Sequence, residues 1–179
     1  YRVLARKYRP NNFKELIGQD SLVKTFKNAL NNGRLAHAFL LTGIRGVGKT
    51  TTARIIAKAL NCIDDGNKNE PSFKICDKCS PCISINKGNF LDVIEVDAAS
   101  RTGVDGIREI IDSVMYSPNN ARFKVYIIDE VHMLSNAAFN ALLKTLEEPP
   151  QNVKFIFATT EIKKIPATII SRCQRFDLQ

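Results

Sequence analysis

The chain has no apolar run approaching the length of a membrane span. Its longest runs, such as AFLL and VYII, are strand-sized, which excludes a membrane-spanning helix. Its first residues, YRVLARKYRP, hold no apolar signal core, so nothing there reads as a secretory leader. Tyr1 stands where an initiator methionine would be, and the chain reads as a piece of a longer protein. Internal repeats and low-complexity tracts are absent, which excludes stacked-repeat architectures and compositional linkers. Histidine is scarce: His37 and His132 have no ligand spacing to each other or to the cysteines, and both read as packing or hydrogen-bonding residues.

What is present suits one soluble domain. The 179 residues are 44% hydrophobic and 25% charged, enough for a real core and too apolar for disorder. The formal net charge is +8. A basic balance favours a polyanion such as nucleic acid, or else is a solvated surface of lysine and arginine; charge alone leaves both open.

Strand-like and helix-like patterns alternate. HAFLLT, FLDVIEVDA, KVYIIDE, VKFIFATT and RFDLQ read as strands, the central ones apolar almost throughout. A helix is expected on Leu22, Phe26, Ala29 and Leu30, stopping at Gly33, and another on Ala53, Ile56, Ala57 and Leu60. A third starts from a Ser100 cap, with its stripe at Val104, Ile107, Ile111 and Val114. A fourth starts from Ser135, carries Phe139, Leu142, Leu143 and Leu146, and ends at Pro149–Pro150. A short helix is expected around Ala167–Ser171. This alternation predicts an α/β fold with a parallel sheet, helices on both faces and the ligand at the carboxyl ends of the strands.

GIRGVGKT fits G-x-x-x-x-G-K-[ST], with Gly43, Gly48, Lys49 and Thr50 in the defining positions; it follows a strand and opens a helix, the context such a match needs. Glycines let the backbone wrap phosphates, and the helix N-terminus favours negative charge. Gly43, Gly46, Val47, Gly48, Lys49, Thr50 and Thr51 are therefore the expected ATP and Mg²⁺ contacts, with Lys49 on the β- and γ-phosphates and the Thr50 hydroxyl on Mg²⁺. The strand VYIIDE ends in two carboxylates. Asp129 is expected to hold Mg²⁺ through water and Glu130 to polarise a water near the γ-phosphate as general base. Thr159 and Thr160 end the next strand, where a polar group can orient that water; alone this is a weak signal.

Four of the five cysteines form Cys62-x13-Cys76-x2-Cys79-x2-Cys82, inside a polar stretch that reads as an insertion at about residues 61–88. In a chain without a secretory signal this points to metal ligation. Four thiolates favour a closed tetrahedral Zn²⁺ with no position for substrate, hence a structural staple worth about 10–16 kcal/mol in small zinc peptides. A ferredoxin-type cluster would need a fourth Cys at x3 followed by Pro, which is lacking. Zinc thiolate would lower the net charge to about +6, so the basic balance survives. Cys173 stands apart and reads as a small buried residue.

The succession GIRGVGKT, VYIIDEVHMLS, FIFATT and ISRC resembles the AAA+ ATPases of the bacterial DNA polymerase III clamp-loader type. LARKYRP, IEVDAASRTGVDGIREI, DEVHMLSNAAFNALLKTLEEPP and the cysteine cluster extend that resemblance over the whole chain. It implies one AAA+ P-loop domain over residues 1–179, with a five-stranded parallel sheet. It implies an ATP-hydrolysing motor subunit that opens a sliding clamp and loads it onto primed DNA in the bacterial cytoplasm. Ala5, Arg9, Pro10 and Ile17 match the segment that packs on the adenine end of the nucleotide. Thr160 matches the sensor-1 position, and Arg172 the finger that reaches a neighbouring subunit's ATP. Arg101, Arg108 and Lys144 match positions facing DNA. Read without the resemblance, Arg172 is a surface arginine or a partner of Asp177, and Arg101 and Arg108 are a solvated helix face. The resemblance also implies a helical lid and a pentamer collar, neither within these residues; alone the chain is expected to bind nucleotide weakly and to be largely monomeric. Two other readings compete. DEVH looks like a helicase DExH box, though a helicase needs a second RecA-like half, and a non-catalytic organising subunit would not need Lys49, Thr50, Asp129 and Glu130.

Overall fold

The continuous apolar runs form strands that are buried on both faces. The computed structural model describes residues 4–64, 69–100, 104–119 and 121–179. In chain order its elements are α1 (Leu4–Lys7), α2 (Asp20–Asn31), β1 (Ala38–Thr42), α3 (Lys49–Asn61), α4 (Ser80–Lys87), β2 (Val93–Asp97), α5 (Val104–Val114), β3 (Lys124–Asp129), α6 (Asn136–Glu147), β4 (Val153–Thr159), α7 (Ala167–Ile170) and β5 (Gln174–Asp177). The strands form one parallel sheet in the order β2-β3-β4-β1-β5. Each chain crossing between parallel neighbours needs a long connection, which the helices supply.

The sheet divides two apolar layers. Leu40, Tyr126, Ile128, Phe155 and Phe157 face α5 and α6; Phe39, Leu41, Val125, Ile127 and Ile156 face α2 and α3. This alternation follows from the period of two along a strand. Burying each such large side chain is worth about 1.5–3 kcal/mol. On the first side α6 starts as expected: Ser135 Oγ accepts the Ala138 N–H at 3.1 Å, and Phe139, Leu142 and Leu146 are buried. The stripe of α5 differs from the expectation. Ile107, Ile110 and Val114 are buried while Ile111 is only half-buried, because the spacing i, i+3, i+7 meets the sheet more squarely. The side chain of Val104 lies outside the described residues. Ser100 immediately precedes residues 101–103, which lie outside the described residues, and so does the first turn that Ser100 was expected to cap.

Since all strands run one way, their carboxyl ends share one edge. Asp97 pairs in register with Asp129, and Thr42 with both Thr159 and Asp177. This edge carries the phosphate loop and the acidic pair. No helix among the described residues is long and apolar enough to cross a membrane.

Candidate functional site

The loop between β1 and α3 is shaped by its glycines. Gly46 has φ +84° and Gly48 φ +101°, conformations that side chains rarely adopt. At Gly43 a Cβ would come within 2.8 Å of Val47 Cγ1 and 3.0 Å of the Leu178 carbonyl oxygen, so the loop is closed from below by the end of the chain. Thr42 donates its hydroxyl to the Asp177 carboxylate, and the Leu178 N–H donates to the Thr42 carbonyl at 2.8 Å. The Thr42 hydrogen bond first, and Arg175 second, hold the Asp177 carboxyl below the usual aspartate value.

Lys49, only 6% exposed, donates to the carbonyls of Gly43 at 2.9 Å and Ile44 at 2.8 Å. Burial lowers its pKa, and the negative charges of Glu130 and Asp129 act in the opposite sense. Thr50 Oγ1 donates to Asp129 Oδ2 at 2.8 Å, joining the α3 N-terminus to the tip of β3. The other oxygen of Asp129 accepts the Glu130 N–H at 2.9 Å. Glu130 itself is left-handed, φ +51°, a conformation costing a non-glycine residue about 1–3 kcal/mol. The hydroxyl and carboxylate side by side form an oxygen donor set suited to Mg²⁺.

One more group belongs to this edge. His132 Nδ1 lies 2.8 Å from Thr159 Oγ1, and its Nε2 lies 3.4 Å from Glu130 Oε2. Thr159 is fully buried, whereas Thr160, the next residue, is exposed. The two threonines expected at this strand end thus have different surroundings.

The cysteine set is gathered at the other end of α3. The four sulfurs of Cys62, Cys76, Cys79 and Cys82 lie within 4.8 Å of one another, and Cys62 and Cys79 Sγ are 4.0 Å apart. A tetrahedral Zn²⁺ with Zn–S bonds of about 2.3 Å fits this cage with slight contraction. Amides point at the sulfurs: Cys76 Sγ accepts from Lys78 N at 3.4 Å and Cys79 N at 3.2 Å, and Cys62 Sγ accepts from Cys76 N at 3.5 Å. Burial raises the pKa of Cys62 and Cys82. Burial also acts upward on Cys79, but hydrogen bonds from the backbones of Cys82 and Ile63 and from the Cys82 and Cys76 thiols outweigh it, bringing it to about 7. The donor set fits a metal that binds thiolates. Lys58, buried in α3, donates to Asp77 Oδ1 at 2.8 Å and to the Asn11 carbonyl, tying the Cys76–Cys79 turn and the N-terminal segment to the helix.

Other expected residues are scattered. Arg172 precedes β5 and therefore stands at the amino edge of the sheet, opposite the phosphate loop. Gln174 is in register with Phe39, so about 13 Å of strand separates this level from Gly43, farther than an arginine reaches. Arg172 donates to the Thr168 carbonyl at 2.8 Å and to Glu147 Oε1 at 3.2 Å; Asp177, one of the alternatives the sequence left open for it, is instead bound by Arg175 at 2.7 Å. Arg108 on α5 and Lys144 on α6 are exposed; Arg101 lies outside the described residues. Ile17 and Arg9 are exposed and Pro10 is half-buried, and the side chain of Ala5 lies outside the described residues.

Comparison with known proteins bears on this arrangement. A family model described as "DNA polymerase III, delta subunit" matches residues 18–179. The chain belongs to this family. Gamma and tau subunits are similar to this chain over nearly its whole length. The DNA polymerase III subunit gamma of Buchnera aphidicola subsp. Schizaphis graminum is 59% identical over 99% of the chain and 48% of the relative. The DNA polymerase III subunit tau of Escherichia coli is 53% identical over 100% of the chain and 27% of the relative. The chain thus spans about half or less of the curated relatives it matches. Among solved structures, the RuvB Holliday junction branch migration motor of Thermotoga maritima has a TM-score of 0.62 at 22% identity, covering 96% of this chain and 48% of that one. A DNA polymerase III gamma subunit-related protein from the same organism has a TM-score of 0.55 at 21% identity, covering 88% and 45%. These likenesses are of fold, and the fold is the AAA+ P-loop fold with its parallel five-stranded sheet.

For this member of the DNA polymerase III delta-subunit family, sequence reasoning missed three contacts of the site edge. They are the His132–Thr159 pair, the Thr42–Asp177 link, and buried Gln19, whose Nε2 donates to the Gln179 carbonyl at 2.9 Å. The pairs join residues 27, 135 and 160 positions apart, which no local pattern reveals. The one available signal was His132 standing two residues after Glu130.

Proposed function

We propose that this chain is the ATP-binding and ATP-hydrolysing domain of a clamp-loader subunit. It would act with other subunits of the DNA polymerase III assembly in the bacterial cytoplasm to open a sliding clamp and load it onto primed DNA. The observation that carries the reading is the contact of Thr50 Oγ1 with Asp129 at 2.8 Å beside a buried Lys49. A glycine loop, a lysine, a hydroxyl and two strand-tip carboxylates converge on one edge, as phosphoryl transfer requires.

Each group has its part. The amides of Gly46, Val47, Gly48 and Thr51 would cradle phosphates at the helix N-terminus. The ammonium of Lys49 exchanges two loop carbonyls for phosphate oxygens. Thr50 and Asp129 would hold Mg²⁺, which supplies charge neutralisation on the phosphates. Glu130 accepts the proton of the attacking water, and Thr160 orients that water. Ala5, Arg9, Pro10 and Ile17 would bracket the base. Cys62, Cys76, Cys79 and Cys82 would hold Zn²⁺ and staple an insertion at about residues 61–88.

Arg172 is too far along the sheet to serve the chain's own phosphate loop, which supports a role at a neighbouring subunit's ATP; such a finger is worth about 10³–10⁵ in rate. Arg101, Arg108 and Lys144 would follow DNA phosphates without sequence preference, in keeping with the +8 net charge. The test is nucleotide binding and ATP turnover by the full-length protein and its Lys49→Ala variant. Loss of both with Lys49→Ala supports a motor; no nucleotide binding or turnover by either protein, with assembly unchanged, would make the chain an organising subunit. DNA strand separation driven by the intact protein would favour a helicase.

A further inference from the structure

Phosphates, metal ion and attacking water are all provided for at this edge without His132. That histidine follows the acidic pair and lies against both the end of β4 and the general base. Its side chain is 6% exposed, and its two ring nitrogens face different partners. Nδ1 is 2.8 Å from Thr159 Oγ1, and Nε2 is 3.4 Å from Glu130 Oε2.

We propose that His132, held in its Nε2–H tautomer by Thr159, is a positioning residue that aims the Glu130 carboxylate; this rests on the ATPase reading above. The tautomer follows from hydrogen-bond accounting. Thr159 is fully buried, so its hydroxyl has no water to serve as acceptor. Its oxygen already accepts the Glu161 N–H at 3.0 Å. The oxygen could accept twice, but its one proton needs an acceptor; the Glu161 N–H is a donor, so Nδ1 of His132 is the neighbour that takes it. An imidazole accepting at Nδ1 carries its proton on Nε2 when neutral. That N–H then faces Glu130, whose backbone is left-handed and whose carboxylate oxygen lies 3.4 Å from Nε2. At 3.4 Å the contact is longer than a good hydrogen bond, and such contacts shorten once substrate is bound. The consequence is a mechanical link from the strand that ends in Thr159 and Thr160 to the base on β3. A shift at either strand tip moves the carboxylate.

The experiment uses the full-length protein in its assembled state. A general base contributes about 10²–10⁴ in rate, so losing its aim in His132→Ala should lower kcat by about 10- to 100-fold with KM for ATP nearly unchanged. Two conservative variants separate aiming from packing. His132→Gln keeps a donor in reach of Glu130 and should recover part of kcat. His132→Asn keeps an acceptor for Thr159 without that reach and should not. Recovery by Asn and not by Gln would make the role structural and overturn the proposal. A folding-independent check is the ¹⁵N resonance pattern of His132 in the wild-type protein at neutral pH. The Nε2–H tautomer is expected, and an Nδ1–H tautomer would overturn the proposal. Lys49→Ala is the control: if it leaves turnover intact, the ATPase reading itself fails, whereas a Lys49-dependent turnover indifferent to His132 sinks only this inference.

Discussion

Helix α3 carries a different site at each end, and the contrast is instructive. At its N-terminus the polar groups hold bonds that a ligand can exchange. Lys49 rests on two carbonyls and Thr50 on a carboxylate, over a loop kept open by glycines. At its C-terminus everything is closed. Cys62 caps the helix inside a four-sulfur cage, Arg122 donates to the carbonyls of Leu60 at 2.8 Å and Cys62 at 3.2 Å, and Lys58 clamps Asp77. One helix thus joins an end whose side chains hold exchangeable bonds to an end whose side chains are enclosed.

The contrast breaks most visibly under metal removal. With the proposed Zn²⁺ in the four-sulfur cage, a strong chelator should strip one ion per chain and raise amide exchange from Cys76 through Lys87, because binding of about 10–16 kcal/mol is withdrawn from a stretch with little core of its own. Nucleotide affinity at the other end should hold within about tenfold, or ~1.4 kcal/mol. A collapse of both together would show that the ends are one unit. Leu60→Ala strikes the shared core between them and should cost about 2–5 kcal/mol in denaturant unfolding, lowering both ends alike. Lys49→Ala should do the reverse. ATP turnover in the full-length protein falls about 10²–10³-fold while the melting temperature and zinc content stay unchanged.

The smallest effect concerns the floor of the phosphate loop. The folded-state pKa of Asp177 is depressed, so its contribution is complete above the ordinary aspartate value of about 3.8 and disappears as the pH falls through the folded value. Thr42→Val removes the main cause of the depression. Because Asp177 is largely exposed, the loss at neutral pH should be only about 0.5 kcal/mol. Urea unfolding at neutral pH and near pH 3 should show the difference between variant and wild type shrinking on acidification.

Much of the fold and site is legible in the sequence because it is locally encoded. β1, β3 and β4 are buried on both faces, and apart from Lys124 and Lys154 their polar residues, Thr42, Asp129 and Thr159, stand only at the carboxyl ends; Ser135 and the Pro149–Pro150 stop bound α6 as their chemistry dictates. The phosphate loop and the acidic strand tip are readable for the same reason. Helix α4 is not among the expected helices, though Pro81 in its first turn and Gly88 after its end are helix punctuation; at eight residues, with Cys79 at its cap and Cys82 in its first turn, it carries too short an apolar stripe to stand out. The first turn of helix at Leu4–Lys7 carries no pattern long enough to read. The Arg172–Glu147 pair and the His132–Thr159 pair could not be read, because partners 25 and 27 residues apart meet only once the sheet is assembled.

The most direct test of the motor reading is a mixing experiment on the full-length protein. Lys49→Ala chains and Arg172→Ala chains are each measured for ATP turnover, then combined at rising concentration. Two inactive variants that regain turnover when mixed would show that one chain holds the nucleotide and its neighbour supplies the arginine, as the placement of Arg172 at the far edge of the sheet predicts. Full turnover by Arg172→Ala alone, independent of concentration, would contradict that role and leave the arginine as the partner of Glu147.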